Sequence, residues 1–189
     1  MSLTAALVLL SLTAAPPADT ACVVQRPQQM PAEGRPSPLD SVTFTVGKAP
    51  VKVCYGRPSL RGREMLGSAR IPYGKLWRTG ANEPTIFYTP VAIQVAGIRV
   101  PPGVYSLYTV PGKTGWEVIV NRSITQWGEE SRYTDQVKAQ EMGRGKAPAE
   151  TLAEPIETFT IRGEPGSKGT TSLVLEWEKT RVKIPVKPG

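Results

Sequence analysis

Short runs of alternating apolar and polar residues, separated by glycine and proline, constrain the fold of this chain more than any other feature. Val42, Phe44 and Val46 alternate with serine and threonine, which is typical of a strand with one buried face. Glycine (18) and proline (19) together make up about a fifth of the 189 residues, against roughly 12% in an average protein. This excess disfavours long helices and favours many short strands joined by tight turns.

The same pattern recurs along the rest of the chain. Candidate strands cover residues 41–46, 51–55, 85–88, 91–95, 98–100, 104–110, 116–121, 159–161, 173–177 and 182–186. An irregular region between Ser123 and Pro155 includes one candidate short helix, 134–142, capped by Thr134 or Asp135. The sequence therefore predicts an all-β fold, a single antiparallel β-sandwich of about eight to ten short strands with one long ordered loop.

Composition divides the chain into three segments. Residues 1–21 form a candidate export signal, because Leu3 to Leu12 is an apolar run of signal-peptide length, too short to span a bilayer, although no Lys or Arg precedes it. Residues 22–39 form a polar, proline-rich linker, and residues 40–187 form the sandwich domain. We expect an exported protein with no membrane span in the mature chain: periplasmic, secreted or lipid-anchored at the cell envelope.

The two cysteines leave three alternatives open. Residues 20–22 resemble a lipobox, in which Cys22 would carry a lipid, although Asp19 stands where an apolar residue is preferred. In an exported protein Cys22 and Cys54 could instead form a disulfide, which would stabilise the fold by roughly 3–4 kcal/mol in the chain-entropy model. Both cysteines could also be unpaired.

The chain contains no histidine. This excludes Ser-His-Asp and Cys-His catalysis and histidine-ligated zinc or iron sites, and two cysteines cannot build a four-thiolate cluster. The sequence therefore predicts neither a metal site nor a cofactor. The net charge of +7 suits an anionic partner or serves solubility alone. The absence of any nucleic-acid-binding motif argues against nucleic acid as that partner.

A long segment without a strand pattern runs from Tyr55 to Asn82, and we call it the arginine-rich loop. Loops of this length are uncommon in compact domains, and most are functional or disordered. This one has too many large rigid side chains for a disordered tether. Beside one carboxylate it carries six cations, Arg57, Arg61, Arg63, Arg70, Lys75 and Arg78. Because guanidinium groups match carboxylates and phosphates, the loop predicts a site for an anion.

Other groups in the loop extend this prediction. Tyr73 and Trp77 offer flat faces for a sugar ring, and residues 79–82 offer backbone N–H groups to an anion. We expect one patch lined by Arg57, Arg61, Arg63, Tyr73, Trp77, Arg78 and Asn82, with Lys75 and Trp127 as further candidate binding residues. The alternative is structural, with the arginines bonded to the protein's own carbonyl and carboxylate groups and the aromatic rings plugging the sandwich.

Two further features lie outside the loop. Glu83 is the candidate general acid or base; alternatively it pairs with Arg78 or another arginine of the loop. A glycosidase would need a second carboxylate at a set separation, and the sequence does not identify one. Trp127, within Gln126-Trp127-Gly128, could line the same end of the sandwich as the arginine-rich loop or serve as a core or edge plug.

The order of motifs resembles a known family. The runs YGRPSLRGREMLG, PYGKLWRTGANEPT, VPPGVYSLYTVPG, WEVIVN and QWG, followed by LVLEWE and VKIPV, are similar to those of the bacterial domain-of-unknown-function family 2911. The resemblance covers about Ser41 to Val186. It implies an exported or lipid-anchored bacterial protein and no particular reaction. The segment after Gly128 departs from the family's Tyr-Asp-rich pattern, which puts the strand there, and any role of Tyr133 and Asp135, in doubt.

The sequence thus predicts an exported binding module that uses the arginine-rich loop for an anionic small molecule or a glycan. One alternative is a carboxylate-dependent hydrolase acting through Glu83. The other is a structural or adhesion protein whose partners are proteins of the cell envelope.

Overall fold

The structure is a computed structural model that describes residues 21–25, 28, 30–128 and 130–189. Within these residues the chain forms nine strands: β1 (Leu39–Val46), β2 (Ala49–Gly56), β3 (Thr85–Thr89), β4 (Ile93–Val95), β5 (Ile98–Val100), β6 (Gly103–Val110), β7 (Gly115–Asn121), β8 (Glu141–Pro165) and β9 (Thr171–Pro188). One short α-helix, α1 (Asp135–Lys138), and two 3-10 helices, Glu130–Arg132 and Ser167–Gly169, complete the described elements. Apart from Ala21, the predicted export signal lies outside the described residues.

The strands form one antiparallel sheet in the order β1-β2-β3-β6-β7-β8-β9-β4-β5. β8 pairs with β7 through residues 141–148 and with β9 through residues 149–165, so it leads from one half of the sheet to the other. The two halves pack face to face: the Ile161 amide of β8 donates to the Tyr55 hydroxyl of β2 at 3.0 Å. A Cβ at Gly163 would lie 2.4 Å from the Cβ of Phe44, so this glycine permits the close approach. The predicted all-β sandwich is confirmed.

Two strands are longer than the sequence predicted. β8 has 25 residues, and its first part covers positions 141–155, which were predicted to be irregular. β9 has 18 residues and joins the two predicted strands 173–177 and 182–186. The pairing of β8 with β9 shifts register between Thr151 and Ile156 and again between Ile156 and Thr160. In β9, Glu178 has a positive φ of 52°.

Close packing explains why the start of β8 lacks an alternating pattern. Gly143 and Gly145 lie under the β4–β5 hairpin, where a Cβ at Gly145 would come within 2.2 Å of the Ala96 carbonyl oxygen. Glycine therefore replaces the apolar side chains that would have marked the strand. The helix prediction was correct in type but too long, since α1 ends at Lys138; Thr134 caps it by accepting from the Val137 amide.

The residues predicted as a linker contact the domain. Cys22 forms a disulfide with Cys54 of β2, with their Cα atoms 5.7 Å apart. Of the three alternatives for the cysteines the structure shows the disulfide, and a sulfur atom in a disulfide is not available for attachment of a lipid. The bond suggests an oxidising compartment. In the part of the chain that the structure describes, no helix is long and apolar enough to cross a bilayer.

The core lies between the two halves of the sheet and receives apolar side chains from every strand. The arginine-rich loop also contributes to it, through Leu66, Ile71 and Trp77. Three buried anchors spread along the loop explain why so long a segment is ordered, because burial of each side chain stabilises the fold by about 1.5–3 kcal/mol.

Candidate functional site

Glu83 follows the arginine-rich loop directly, and the structure encloses it. Its carboxylate accepts from Arg35 Nη1 at 2.7 Å and Arg35 Nη2 at 3.0 Å, and the Gln25 amide donates to it at 3.0 Å. The two side chains of the pair are 1% and 3% exposed. Glu83 therefore pairs with an arginine of the N-terminal segment. The alternative to a catalytic role was a pair with Arg78 or another arginine of the loop, so the kind of contact was predicted but its partner was not. The carboxylate has no open face for a substrate.

The first three arginines of the loop bond to the protein itself. Arg57 donates to the Phe159 carbonyl at 3.2 Å, to Asp40 Oδ2 at 3.2 Å and to Thr160 Oγ1 at 3.0 Å. It thereby ties the end of β2 to β1 and β8. These contacts match the structural alternative for this arginine.

Arg61 and Arg63 also bond to backbone carbonyls. Arg61 Nη2 donates to the Pro36 carbonyl at 2.8 Å. Arg63 Nε and Nη2 donate to the carbonyls of Leu60 and Ser59 at 2.8 and 2.9 Å. Both side chains are nevertheless exposed. Arg63 therefore has a fixed orientation while its charge remains accessible to solvent.

Trp77 is a core residue and not an exposed binding face. It is 2% exposed and stacks on Trp177, with ring centroids 5.9 Å apart and an interplanar angle of 13°. Its ring also meets Trp116 and Phe159 edge-on. The predicted role of Trp77 as a platform for a sugar ring is therefore unsupported, because both faces are occupied by the protein.

A cleft of about 410 Å³ opens above this aromatic cluster, and we call it the arginine cleft. It is lined by Ser37, Pro58, Arg63, Met65, Arg70, Ile71, Trp77, Arg78, Gly80, Ala81, Asn82, Glu130 and Trp177. The charged groups among these are three arginines and a single carboxylate, Glu130. The cleft therefore has a net positive charge at its wall and indole rings at its base.

Arg78 and Glu130 face each other across the wall of the cleft. Arg78 Nη1 donates to the two carboxylate oxygens of Glu130 at 3.0 and 3.2 Å. The Arg78 amide lies 3.4 Å from the nearer oxygen. Arg78 Nε is buried and has no hydrogen-bond partner among the described residues. The guanidinium therefore keeps hydrogen-bonding capacity that Glu130 does not use.

Gly128 brings the second irregular region against the end of the loop. Its amide donates to the Asn82 carbonyl at 3.1 Å, and a Cβ at this position would lie 2.1 Å from that oxygen and 2.4 Å from Arg78 Cδ. Any larger residue would displace Arg78. Since the chain continues directly to the helix at Glu130, this contact sets where the Glu130 carboxylate meets Arg78.

The sequence model of the family described as "Protein of unknown function (DUF2911)" matches residues 37–186. The chain belongs to the DUF2911 family. Comparisons with curated proteins and with solved structures gave no match. The matched region begins at Ser37, which lines the arginine cleft, so the DUF2911 domain includes the cleft, whereas Arg35 lies just before it.

In this DUF2911 domain four of the seven residues predicted to share a patch line the arginine cleft, namely Arg63, Trp77, Arg78 and Asn82. Asn82 Nδ2 is bonded to the Ser37 carbonyl at 3.0 Å. Tyr73 lies in a neighbouring concavity, which Arg63 also lines. Lys75 is exposed and does not line the cleft, nor do Arg57 and Arg61. The predicted backbone nest is partly used by the fold, since the Ala81 amide donates to Gly56.

The Gln126-Trp127-Gly128 motif of the DUF2911 domain serves the fold more directly than the cleft. Gln126 Nε2 donates to the Tyr108 hydroxyl at 2.9 Å, and Gln126 Oε1 accepts from Ser123 at 2.7 Å. Burial raises the pKa of Tyr108 to about 12 even though the bond from Gln126 lowers it. Trp127 is half-buried and is not among the residues that line the cleft.

Two charged residues of the cleft were missed as binding candidates. Arg70 was counted among the cations of the loop, and no pattern distinguished it from its neighbours. Glu130 lies 52 residues from Arg78 in the sequence, in a segment with no clear secondary-structure signal. Among the described residues no group of three or more carboxylate or cysteine side chains could hold a metal ion.

Proposed function

We propose that this DUF2911 domain is a binding module that holds an anionic ligand in the arginine cleft. The observation that carries the proposal is the charge of the wall, where among the described residues Arg63, Arg70 and Arg78 are balanced by the Glu130 carboxylate alone. The cleft has the size of a small-molecule site, since such pockets range from about 300 to 1,000 Å³. Arginine supplies paired donors that match a carboxylate or a phosphate.

The state of each arginine supports this assignment. Arg70 is exposed and makes no side-chain hydrogen bond to a described residue. Arg78 Nη2 makes no hydrogen bond to a described residue, and the side chain is 25% exposed. Arg63 is held in place by two backbone carbonyls, so it loses little conformational freedom when a ligand binds. The cleft therefore combines one pre-oriented cation with two that still have donors to offer.

A glycan without charge is a poorer fit than an anion. Recognition of a neutral sugar ring depends on an exposed aromatic face, and the indole rings at the base of the cleft are 2% and 1% exposed. A glycan ligand would therefore be held through its acidic groups. Protein partners at the cell envelope remain the alternative if no small anion binds.

The carboxylate-dependent hydrolase alternative depends on Glu83, and this carboxylate is enclosed by the protein. Both oxygens of Glu83 are bonded within the protein, and Glu130 is the one carboxylate among the described residues that line the cleft. Glycosidases of the common type need two carboxylates at a set separation. A binding role requires neither of these groups.

We also propose that the protein is exported. The Cys22–Cys54 disulfide supports this, because such bonds persist in oxidising compartments. The apolar run from Leu3 to Leu12 is the expected signal. Detection of the protein outside the cytoplasm after cell fractionation would test the proposal, and a purely cytoplasmic protein would contradict it.

The binding proposal is tested by titrating the purified protein with succinate, inorganic phosphate and an acidic oligosaccharide in a calorimeter at low salt. Arg70→Gln should weaken binding by about tenfold or more, because a hydrogen bond to a charged group is worth about 1.5–3 kcal/mol. Lys75→Gln is the matched control, since it removes an exposed cation of the same loop outside the cleft. Equal weakening by both variants would show diffuse electrostatics, and absence of binding by all three probes would contradict the proposal.

A further inference from the structure

Glu130 already places a carboxylate against Arg78. Its two oxygens share Arg78 Nη1, and one of them lies 3.4 Å from the Arg78 amide. This carboxylate comes from a short 3-10 helix on the rim of the cleft, and its side chain is 41% exposed. The Arg78 end of the cleft therefore accepts a carboxylate group in a defined position.

The contact is a weak one by its geometry. Among the described residues only Nη1 of the guanidinium has a hydrogen-bond partner, and Nη2 is not engaged by any of them. Ion pairs as exposed as this one contribute little, about 0–1 kcal/mol. A ligand that offers a second carboxylate oxygen to unused donors would bind Arg78 better than Glu130 does.

We propose that the ligand of the arginine cleft carries a carboxylate group and that Glu130 is an internal competitor for Arg78. This inference rests on the proposed anion-binding function and deepens it by naming the ligand class and a residue that sets affinity. The ligand carboxylate takes the position of the Glu130 side chain. Glu130 then turns towards solvent, and Arg63 and Arg70 remain for further acidic groups of the ligand.

The competition has a functional consequence. A ligand with one carboxylate must displace Glu130 for a single contact, so its affinity is low. A ligand with two or more carboxylates also gains Arg70 or Arg63, which Glu130 does not reach in this structure. The cleft therefore selects compact polycarboxylates over monocarboxylates, and Glu130 suppresses the binding of weak anions.

The test compares the wild-type protein with Glu130→Gln in titrations with acetate, succinate and inorganic phosphate. Removing the competing charge should tighten binding of succinate by about three- to tenfold, the range expected from one exposed ion pair and one like-charge contact. Glu150→Gln is the matched control, because it changes the net charge equally at an exposed position of β8 that does not line the cleft. Its affinity for succinate should equal that of the wild type.

The possible outcomes separate the two proposals. Unchanged or weaker binding of succinate by Glu130→Gln would overturn the competitor role while leaving an anion site that depends on Arg70 in place. Wild-type protein that binds phosphate more tightly than succinate would overturn the carboxylate assignment. Succinate binding that is about tenfold or more weaker in Arg70→Gln and tighter in Glu130→Gln is the result that supports both proposals. Thermal unfolding of each variant checks that the fold is unchanged.

Discussion

Two arginine–carboxylate pairs each have one member at or just after the end of the arginine-rich loop, Arg78 in one and Glu83 in the other, and they differ in nearly every physical respect. In the Arg35–Glu83 pair both side chains are almost fully buried, and two guanidinium nitrogens bond to two carboxylate oxygens. In the Arg78–Glu130 pair the side chains are 25% and 41% exposed, and one nitrogen serves both oxygens. The first pair closes an interior, and the second stands at the wall of a cleft.

The difference follows from the cost of burying charge. Removing two charges from water costs several kcal/mol for each ion, so a buried pair persists only when every donor and lone pair is engaged. Arg35 meets this condition, since its Nε and Nη2 also donate to the carbonyls of Pro31 and Met30. Arg78 does not, because its Nε has no partner among the described residues. We interpret an arginine whose guanidinium nitrogens are all hydrogen-bonded within the protein as structural. An arginine with a guanidinium nitrogen that is not bonded in this way can bind a ligand.

The strongest way to test this contrast is to break the buried pair. Arg35→Met should lower the free energy of unfolding by about 3–5 kcal/mol, because it leaves Glu83 buried without its partner. Urea denaturation followed by tryptophan fluorescence measures the change. The double variant Arg35→Met with Glu83→Leu should recover most of the loss, since an apolar pair can replace a buried ion pair at little cost. A single variant that loses less than about 1 kcal/mol would show that the pair is not structural.

A third cluster of charges lies between these two extremes. Glu176 of β9 accepts from Arg162 and Arg181, and its side chain is 10% exposed. Burial raises the pKa of Glu176, but the bonds from the two arginines outweigh burial and hold the pKa below its usual value. A carboxylate with a lowered pKa stabilises the folded protein at pH values above its ordinary pKa, and this contribution is lost as the pH falls through the lowered one.

Glu176→Gln should therefore be destabilising at neutral pH and almost silent in acid. We expect a loss of about 1–2 kcal/mol at neutral pH, of the order of a charge-assisted hydrogen bond. The difference from the wild type should shrink as the pH falls below the ordinary pKa of a glutamate and through the lowered pKa of Glu176. Urea unfolding of both proteins across this range measures it. A difference that stays constant with pH would mean that Glu176 acts through packing and not through its charge.

Much of the fold could be predicted because it depends on local patterns. The alternation around Val42 and the turns at Gly47 and Gly97 mark β1, β2, β4 and β5 without reference to the rest of the chain. The start of β8 could not be predicted in this way. Its glycines serve the close approach of the β4–β5 hairpin, and that contact joins residues almost 50 positions apart.

The candidate site was harder to predict than the fold. The composition of the arginine-rich loop located the correct region, but it gave each arginine the same weight. Whether Arg57 bonds to Phe159 or Arg78 to Glu130 depends on partners 102 and 52 residues away. The role of Arg35 was missed for the same reason, because it lies in a segment whose proline content indicated a linker. Tertiary partners decide which arginine is structural, and composition does not report them.

The smallest expected effect on the free energy of unfolding comes from the Arg78–Glu130 pair. For this pair we expect the largest difference between the effect on stability and the effect on binding. Arg78→Met should change the free energy of unfolding by no more than about 1 kcal/mol, because the pair is partly exposed and uses one guanidinium nitrogen. The same substitution should abolish succinate binding measured by calorimetry. A stability loss comparable to that of Arg35→Met would place Arg78 with the structural arginines. Retained stability with lost binding would instead show that two arginine–carboxylate pairs that meet at the end of the same loop separate fold from function, according to how completely each guanidinium is bonded within the protein.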